Sequence, residues 1–376
     1  MKAIAPFEIK KKAEELSSPF DYKMKETAII LAAGHGKRIK SQKSKMLHSI
    51  WGIPTVERVC NACKIDSIGT NTIIVVGIKA LDVMNVIGKR EKTIFAYQQE
   101  QKGTGHAVQI ALLNIDDKKY DGIVYVFPGD MGLLNKETVE IFRKEFVSSK
   151  SDMMVLTGIY EGDVKENNYG RIVRVKEFDI NGTPSGKDFG NVIEIIEYKD
   201  ILSIANDENY ITIYNGRKYS YSKKELIENR EFNSSVYAFK YKKLVELISK
   251  IKSNNAQNEI YITDLISLFN KKGYKVAAIS PKDQYVVMGF NDKSVLREME
   301  NLYRQKVYDK IKNIIEIDDP DDFFIHENVV EEIISTDRNG TPLDIKIGKG
   351  VYIGNGVKLN YNLDRKSTRL NSSHGI

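Results

Sequence analysis

Short apolar runs alternate with amphipathic stretches through the first half of the chain. Apolar runs that end at glycine or polar residues are typical of buried strands in parallel sheets. The runs that predict strands lie at 27–33, 72–76, 93–97, 123–127 and 153–158. Helical periodicity between and after them predicts helices at 54–65, 104–115 and 135–146. Strand and helix therefore alternate, which predicts βαβ units in a doubly wound α/β sheet.

The regions on either side of this core have a different pattern. Residues 1–26 predict a polar extension with helical character. From about residue 171, short β-like segments (RIVRV, NVIEIIE, FNSSVYAF) alternate with polar stretches, which predicts a β-rich subdomain with long loops. Helical periodicity returns at 241–252 and 294–313.

A six-residue period begins near the end of the chain. Ile347, Ile353 and Leu359 lead successive repeats, and hexapeptide periodicity is typical of a β-helix. The pattern stops after about two repeats, and the composition changes at Arg365, so we interpret the final residues as a non-native tail. The predicted divisions are an N-terminal extension (1–26), an α/β domain (27–313), a linker with a truncated β-helix (314–364) and the tail (365–376). A stub of stacked repeats lacks neighbours, so we expect a monomer or weak oligomer.

Composition and charge narrow the function. The 376 residues have a net charge of +6, and three of those charges come from Arg365, Lys366 and Arg369. The rest of the chain has too little net positive charge for a nucleic-acid-binding surface. No apolar run approaches the ~18 residues that span a membrane. The two cysteines, Cys60 and Cys63, favour a reducing cytoplasm and lie on one predicted helix face, as core residues do.

The segment LAAGHGKRIKSQKSKML (31–47) follows the first predicted strand. Gly34 and Gly36 allow a tight turn whose N–H groups can hold a phosphate. Arg38 and Lys45 add two cations, which a triphosphate requires. A turn with solvated lysines is the alternative interpretation. Neither the dinucleotide-binding fingerprint nor the Walker A motif fits this spacing.

Two oxygen-bearing side chains could hold Mg²⁺. Asp130 follows the predicted strand at 123–127, and α/β proteins bind ligands at the carboxyl ends of parallel strands. Asn291 can add an amide oxygen, since Mg²⁺ needs few protein ligands beside water and phosphate. A turn or capping role is the alternative for both residues.

A glutamine-rich segment, YQQEQKGTGHA (97–107), could recognise a base. Gln98 and Gln101 each carry a donor and an acceptor, which suits the edge of a pyrimidine. The backbone at Gly103 and Thr104 is open enough to approach a flat ring. A solvated turn is the alternative interpretation.

Taken in order, these segments resemble the signature of the sugar-1-phosphate nucleotidyltransferases. Within that family they are most similar to the uridylyltransferase domain of the bacterial enzymes that also acetylate glucosamine 1-phosphate. Further segments in family order are FPGDMGLL, NYGRIV, IIEYKD, NAQNEIYITDLI and MGFNDKSVL. The resemblance covers about residues 27–313. It implies a doubly wound mixed sheet, a Rossmann-like nucleotidyltransferase fold, followed by the first coils of a left-handed β-helix.

The resemblance also implies a reaction and a set of site residues. UTP and N-acetylglucosamine 1-phosphate would give UDP-N-acetylglucosamine and pyrophosphate with Mg²⁺ as cofactor, and no acetyltransferase activity is expected from the truncated β-helix. The implied catalytic residues are Arg38 and Lys45, and the implied metal ligands are Asp130 and Asn291. The implied nucleotide-binding residues are Leu31, Ala33, Gly34, Gly36, Gln98, Gln101, Gly103 and Thr104. The implied sugar-binding residues are Gly170, Glu197 and Asn233.

Several positions depart from the family pattern. Ser44 stands where the family has proline, and Asn233-Ser234-Ser235 stands where it has asparagine-threonine-glycine. The segment 200–232 is about twenty residues longer than the resemblance predicts. Three functions therefore stay open: the uridylyl transfer above, transfer to a different sugar or from a different triphosphate, and binding of a sugar nucleotide without catalysis.

Overall fold

A computed structural model describes residues 5–34, 36–64, 69–253, 258–359, 362–365 and 369–370. The chain divides into two compact units. Unit 1 comprises residues 1–48 and 55–289, and unit 2 comprises residues 49–54 and 290–376. The division after Gly289 falls earlier than the predicted boundary at 313, because the long helix that follows packs within unit 2. Among the described residues, no helix is long and apolar enough to span a membrane.

The strands of the described residues are β1 (Glu26–Ala32), β2 (Ser49–Ile50), β3 (Ile53–Pro54), β4 (Asn71–Val76), β5 (Thr93–Tyr97), β6 (Ile123–Pro128), β7 (Met153–Ile159), β8 (Arg171–Arg174), β9 (Val192–Ile196), β10 (Asn209–Tyr214), β11 (Arg217–Ser222), β12 (Glu231–Lys240), β13 (Val276–Ile279), β14 (Glu316–Ile317), β15 (Phe323–Ile325), β16 (Asp344–Ile347), β17 (Val351–Ile353), β18 (Asn362–Arg365) and β19 (Arg369–Leu370). The helices are α1 (Pro6–Leu16), α2 (Thr55–Ala62), α3 (Ala80–Ile87), α4 (Thr104–Leu112), α5 (Lys136–Ser148), α6 (Tyr198–Ser203), α7 (Lys223–Glu228), α8 (Tyr241–Ile248), α9 (Asp264–Lys271), α10 (Lys293–Ile311) and α11 (Glu327–Arg338).

Unit 1 is built on one mixed sheet, as the sequence predicts. Its strand order is β13-β7-β12-β6-β1-β4-β5, and β8 and β9 extend from β12. Strands β1, β4, β5 and β6 are parallel, whereas β12 runs antiparallel between β6 and β7. The five apolar runs of the sequence all become strands of this sheet.

Both faces of the sheet are covered by helices, so the sheet is doubly wound. Ile30 contributes to a core with residues of α2, α3 and α5, while Ile29 contributes to a second core with residues of α4, α8 and α9. Successive side chains of a strand point to opposite faces, so a strand covered on both sides must be apolar throughout. Cys60 and Cys63 are buried in the first core, as predicted, and burial raises the pKa of the Cys60 thiol to about 12.

The N-terminal extension covers the free edge of β5. Helix α1 buries Ile9 and Ala13 in the first core. Just after the helix, Ser17 Oγ accepts a hydrogen bond of 2.9 Å from Phe95 N, and Ser18 N donates to Thr93 O at 2.7 Å. An uncovered edge strand invites pairing with other chains. Residues 5–18 therefore protect this edge.

The inserted segment 200–232 forms a small substructure of its own. Helix α6, the hairpin β10–β11 and helix α7 pack around buried residues that include Val173, Ile201, Tyr219 and Leu226. The hairpin turns at Asn215 and Gly216, with φ of 48° and 76°. This is the asparagine-glycine type I′ turn, which matches the twist of two antiparallel strands.

Unit 2 contains stacked parallel strands. Strand β14 pairs with β16 and β16 with β18, and β15 pairs with β17 and β17 with β19. Helix α11 is inserted between the first and second layers. The stacking begins before Ile347, where we expected the repeats to open, and it includes Arg369–Leu370 from the segment interpreted as a tail. A left-handed β-helix and a non-native tail both stay predictions.

The covering role of α1 predicts a measurable contribution to stability. Replacing Ile9 with alanine should lower the free energy of unfolding by ~2 kcal/mol or more, because it leaves a cavity in the core. Phe7→Ala is the matched control, since Phe7 is 75% exposed and Ile9 only 8%. Chemical denaturation of both variants measures the difference. Equal effects would show that α1 does not pack as described.

Candidate functional site

The candidate site lies at the carboxyl ends of β1 and β6. From β1 the chain first builds β4 and β5 on one side and then returns to place β6 on the other. Such a reversal leaves a crevice outside the strand ends, and open α/β sheets bind their ligands there. The glycine loop follows β1, and Asp130 follows β6, so both predicted segments meet at this point.

Glycine is required where these segments come together. Gly36 has φ +58°, and a Cβ at this position would lie 2.7 Å from Cβ of Lys45. At the end of β6, Gly129 N donates to Leu31 O at 3.0 Å, and a Cβ there would lie 3.0 Å from the same oxygen. The loop therefore folds back on Lys45 while β1 and β6 stay tightly joined. Around Gly34 a Cβ would meet only Met46, at 3.9 Å.

Lys45 and Asp130 form an ion pair at the crevice. Lys45 Nζ lies 2.5 Å from Asp130 Oδ2, and the two side chains are 10% and 15% exposed. A 3₁₀ turn over Lys45–Leu47 holds the lysine, and Leu47 N bonds to Ser44 O at 3.0 Å. Arg38 lies in another 3₁₀ turn, Lys37–Ile39, and is exposed. The structure thus brings Lys45, and not Arg38, to the aspartate.

Asp130 has the chemistry of a magnesium ligand. Its carboxylate already has a cationic partner in Lys45, so positive charge is stabilised at this point. The chain returns to the same carboxylate at Gly289, where a Cβ would lie 3.3 Å from Asp130 Oδ1. Hard oxygen ligands completed by water and phosphate suffice for Mg²⁺. Asn291 belongs to unit 2, so its pairing with Asp130 stays a prediction.

Gln98 and Gln101 follow β5, at the same edge of the sheet. Gln98 is only 2% exposed, and its Nε2 lies 3.0 Å from Nδ1 of His106. Gln101 Nε2 donates to Gln98 O at 2.9 Å. A Cβ at Gly77 would lie 2.7 Å from Gln101 Nε2 and 2.8 Å from Ala33 O, so the ends of β1, β4 and β5 converge here. His106, which the sequence did not single out, orients Gln98.

The glycines of this segment have a structural role that we did not predict. Gly103 has φ +106°, and a Cβ there would lie 2.5 Å from Ile260 O. Gly105 N donates to Ile260 O at 2.8 Å, and Ile260 N donates to Lys102 O at 2.7 Å. Thr104 Oγ1 accepts from Ile262 N at 3.2 Å. These residues therefore anchor the segment before α9, and contact with a base stays a prediction.

The three predicted sugar-side residues lie together in unit 1. Asn233 N donates to Gly170 O at 2.9 Å. A Cβ at Gly170 would lie 3.3 Å from Glu197 Oε2. Tyr237 donates its hydroxyl to Asn233 Oδ1 at 3.0 Å, and this tyrosine also lies in the electrostatic field of Glu197. The loop before β8, the end of β9 and strand β12 thus converge on one pocket wall.

The altered Asn-Ser-Ser sequence still forms a bulge in β12. The pairing of β12 with β7 shifts between Asn233 and Val236, and Ser235 adopts φ +65°. This is the position where the family pattern has glycine, and the left-handed conformation explains that preference. Ser235 is held there because its N–H donates to Asn233 Oδ1 at 2.9 Å. The substitution therefore changes the side chain at the bulge and keeps its backbone.

Arg171 and Tyr169 support this wall, and the sequence did not identify them. Arg171 is fully buried, and its guanidinium donates to the backbone oxygens of Tyr169 and, at 2.7 Å, Asn167. Burial lowers the pKa of Arg171. Tyr169 donates its hydroxyl to Gly289 O at 2.9 Å, which links the sugar-side loop to the chain beside Asp130. Both residues lie within the NYGRIV segment, whose resemblance to the family was the sequence signal that could have identified them.

Glu197 is a half-buried carboxyl with a raised pKa. Burial, with added repulsion from Asp200 and Asp264, raises its pKa to about 7. Burial and Asp200 likewise raise the pKa of Asp264 to about 6. A carboxyl in this state can accept or donate a hydrogen bond near neutral pH. Asp264 follows the anchored Ile260–Ile262 segment closely, so one stretch of chain binds the glutamine segment and also raises the pKa of Glu197.

Comparison with known proteins identifies relatives of this chain. Residues 28–164 match the family model of the MobA-like NTP transferase domain. The bifunctional protein GlmU of Acetivibrio thermocellus is 34% identical over 80% of this chain and 57% of its own length. GlmU of Clostridium tetani is 32% identical over 88% of this chain and 63% of its own length. The chain contains a GlmU-like nucleotidyltransferase domain. The resemblance inferred from the sequence motifs is thereby confirmed.

The match is limited in extent. The chain spans less than two thirds of the length of these GlmU relatives. A solved structure of UDP-glucose pyrophosphorylase complexed with UDP-glucose aligns with 75% of this chain and 100% of its own, at 17% identity and a TM-score of 0.48.

The raised pKa of Glu197 predicts how stability depends on pH. The folded GlmU-like domain favours the neutral carboxyl, so this contribution is full below the unfolded pKa and is lost as pH rises through about 7. Relative to Glu197→Gln, which cannot titrate, the wild type should lose ~1–3 kcal/mol of unfolding free energy between about pH 4.5 and 8.

Urea denaturation across this pH range measures the difference. Glu208→Gln is the control, because Glu208 is exposed. A difference between wild type and Glu197→Gln that does not change with pH would show that Glu197 is not buried as described.

Proposed function

We propose that this domain transfers a uridylyl group from UTP to N-acetylglucosamine 1-phosphate. The products would be UDP-N-acetylglucosamine, a precursor of the bacterial cell wall, and pyrophosphate. One observation carries the proposal: the ion pair of Lys45 and Asp130 lies at the strand ends of a GlmU-like domain, where a triphosphate and its metal would bind.

The proposed reaction is a direct displacement. A phosphate oxygen of the sugar 1-phosphate attacks the α-phosphorus of UTP, the bond from that phosphorus to the bridging oxygen breaks, and pyrophosphate leaves with the electron pair. No covalent enzyme intermediate is required, so the protein contributes position and charge. Backbone N–H groups at Gly34 and Gly36 would face the phosphates, and Lys45 would stabilise the negative charge that grows on the leaving group.

Mg²⁺ fits this arrangement as the proposed cofactor. Asp130 would hold it, with Asn291 as the second proposed ligand, and the metal would supply further charge neutralisation on the phosphates. The phosphates would then compete with Asp130 for the Lys45 ammonium, which contacts Asp130 in this structure.

The base and the acceptor would occupy opposite ends of the crevice. Gln98, held by His106, is the proposed reader of uracil, and Gln101 supports it. Glu197, Asn233 and the backbone of Gly170 are proposed to bind the sugar hydroxyl and acetamido groups. A site built on buried polar groups rejects a ligand that leaves them without partners.

A different acceptor is the second candidate, and Ser235 favours it. Its side chain adds a Cβ and a hydroxyl where the family pattern has glycine, with Oγ 3.5 Å from Asn233 Nδ2. These added atoms reduce the space beside the wall on which the sugar is proposed to lie. Binding without catalysis is less well supported, because the chain retains both Lys45 and Asp130.

The main test is pyrophosphate release from each nucleoside triphosphate with a panel of sugar 1-phosphates in millimolar Mg²⁺. We expect the highest kcat/KM with UTP and N-acetylglucosamine 1-phosphate. A higher value with another sugar would select the second candidate. No pyrophosphate from any pair would reject transferase function altogether.

Substitutions that remove the charge of Lys45 or of Asp130 provide the second test. Lys45→Ala should lower kcat by ~100- to 1,000-fold, because it removes a preorganised cation from the leaving phosphates. Lys43→Ala is the matched control, since Lys43 is an exposed lysine two residues earlier in the same loop. Asp130→Asn should raise the Mg²⁺ concentration needed for half-maximal rate. Lys45→Ala activity within a few-fold of the Lys43→Ala control would contradict the assignment.

A further inference from the structure

One edge strand of unit 1 is exposed, apolar and uncharged. Strand β10 lies at the edge of the two-stranded sheet it forms with β11. Tyr210, Thr212 and Tyr214 turn toward the substructure, whereas Ile211 and Ile213 are 57% and 61% exposed. Such edges usually carry charged residues, proline or a covering segment. Residues Asn209–Tyr214 contain no charge and no proline.

The backbone of this edge is available for pairing. The two-residue turn makes Tyr214 and Arg217 a hydrogen-bonded pair, and such pairs alternate along an antiparallel ladder. Thr212 therefore bonds to β11, while the N–H and C=O groups of Ile211 and Ile213 point away from it. Within the described ranges, no hydrogen bond reaches these groups from outside the hairpin.

Elsewhere the chain covers an edge strand of its large sheet. Strand β5 is capped by the hydrogen bonds of Ser17 and Ser18. No equivalent segment lies along β10 in the part of the chain that the structure describes. The contrast points to an occupant outside the single chain.

Charge favours a second copy in antiparallel orientation. Asp207 and Glu208 precede β10, and Arg217 and Lys218 follow the turn at its other end. Antiparallel pairing brings the acidic end of each hairpin to the basic end of the other, whereas parallel pairing would bring like charges together. Ile211 and Ile213 of both copies would then share one face and bury each other.

We propose that β10 pairs with β10 of a second copy of this chain, in antiparallel register with Ile211 opposite Ile211. Four strands, β11-β10-β10-β11, then form one continuous sheet across a two-fold axis, which is the usual symmetry of a dimer. In this register Ile213 lies opposite Asn209 of the partner. The edge is short, so the dimer dissociates at low protein concentration.

Sedimentation of the full chain over a range of concentrations tests the proposal. We expect a concentration-dependent dimer whose dissociation constant rises at least ~10-fold in Ile211→Lys, because two lysines then face each other across the axis. Ile141→Lys is the matched control, since Ile141 is 47% exposed on α5 and should not affect the dimer. A wild type that stays monomeric, or a dimer that Ile211→Lys leaves unchanged, overturns the proposal.

Cysteine cross-linking tests the register in a second way. Paired residues of a hydrogen-bonded antiparallel pair have Cα atoms ~5.5 Å apart, which a disulfide can span. Ile211→Cys should therefore give a covalent dimer on mild oxidation, and Ile213→Cys should not, since the two copies of residue 213 are ~13 Å apart. The native cysteines are buried and provide little background. A covalent dimer from Ile213→Cys but not from Ile211→Cys overturns the proposed pairing.

Discussion

The ion pair of Lys45 and Asp130 is the interaction on which the account of the site depends. Its two members come from loops that follow neighbouring strands, β1 and β6, and both are largely buried. A buried charge without a partner is costly, so each residue fixes the other in place. Gly36 and Gly129 make the pair possible, because a side chain at Gly36 would displace Lys45 and one at Gly129 would press on the end of β1. The crevice therefore presents a cation and a carboxylate in fixed positions.

The proposed acceptor side depends on a different constraint, the bulge in β12. Its shifted pairing with β7 places Asn233 against Gly170 and Tyr237, and Ser235 keeps the required positive φ without glycine. Arg171 holds the loop before β8 through backbone oxygens, and Tyr169 connects that loop to Gly289. The two halves of the site are thus joined by hydrogen bonds within one compact unit. A change at Ser235 can therefore alter the proposed sugar site while the ion pair stays intact.

Short patterns of apolar and polar residues predicted the strands of the sheet, because each strand is defined by residues that are neighbours in the sequence. Apolar runs such as residues 123–127 could be recognised as strands because both faces of the sheet are covered. Asp130 could be singled out as a candidate because it closely follows β6, and Lys45 because it lies in the glycine-containing segment after β1. The role of Gly103 could not be predicted, since its partner Ile260 is far away in the sequence. The raised pKa of Glu197 likewise depends on burial and on repulsion from Asp264, which only the folded chain brings near. The hairpin β10–β11 was missed although Asn215-Gly216 is a recognisable turn signal.

The most direct test is a crystal structure of the full chain with UDP-N-acetylglucosamine and Mg²⁺. The account predicts that the diphosphate lies within hydrogen-bonding distance of Lys45 Nζ, that the metal contacts Asp130, and that the sugar lies against Glu197 and Asn233. It also predicts that Lys45 has moved from Asp130 toward the phosphates. A sugar nucleotide bound away from the strand ends of β1 and β6, with the ion pair intact, would contradict it.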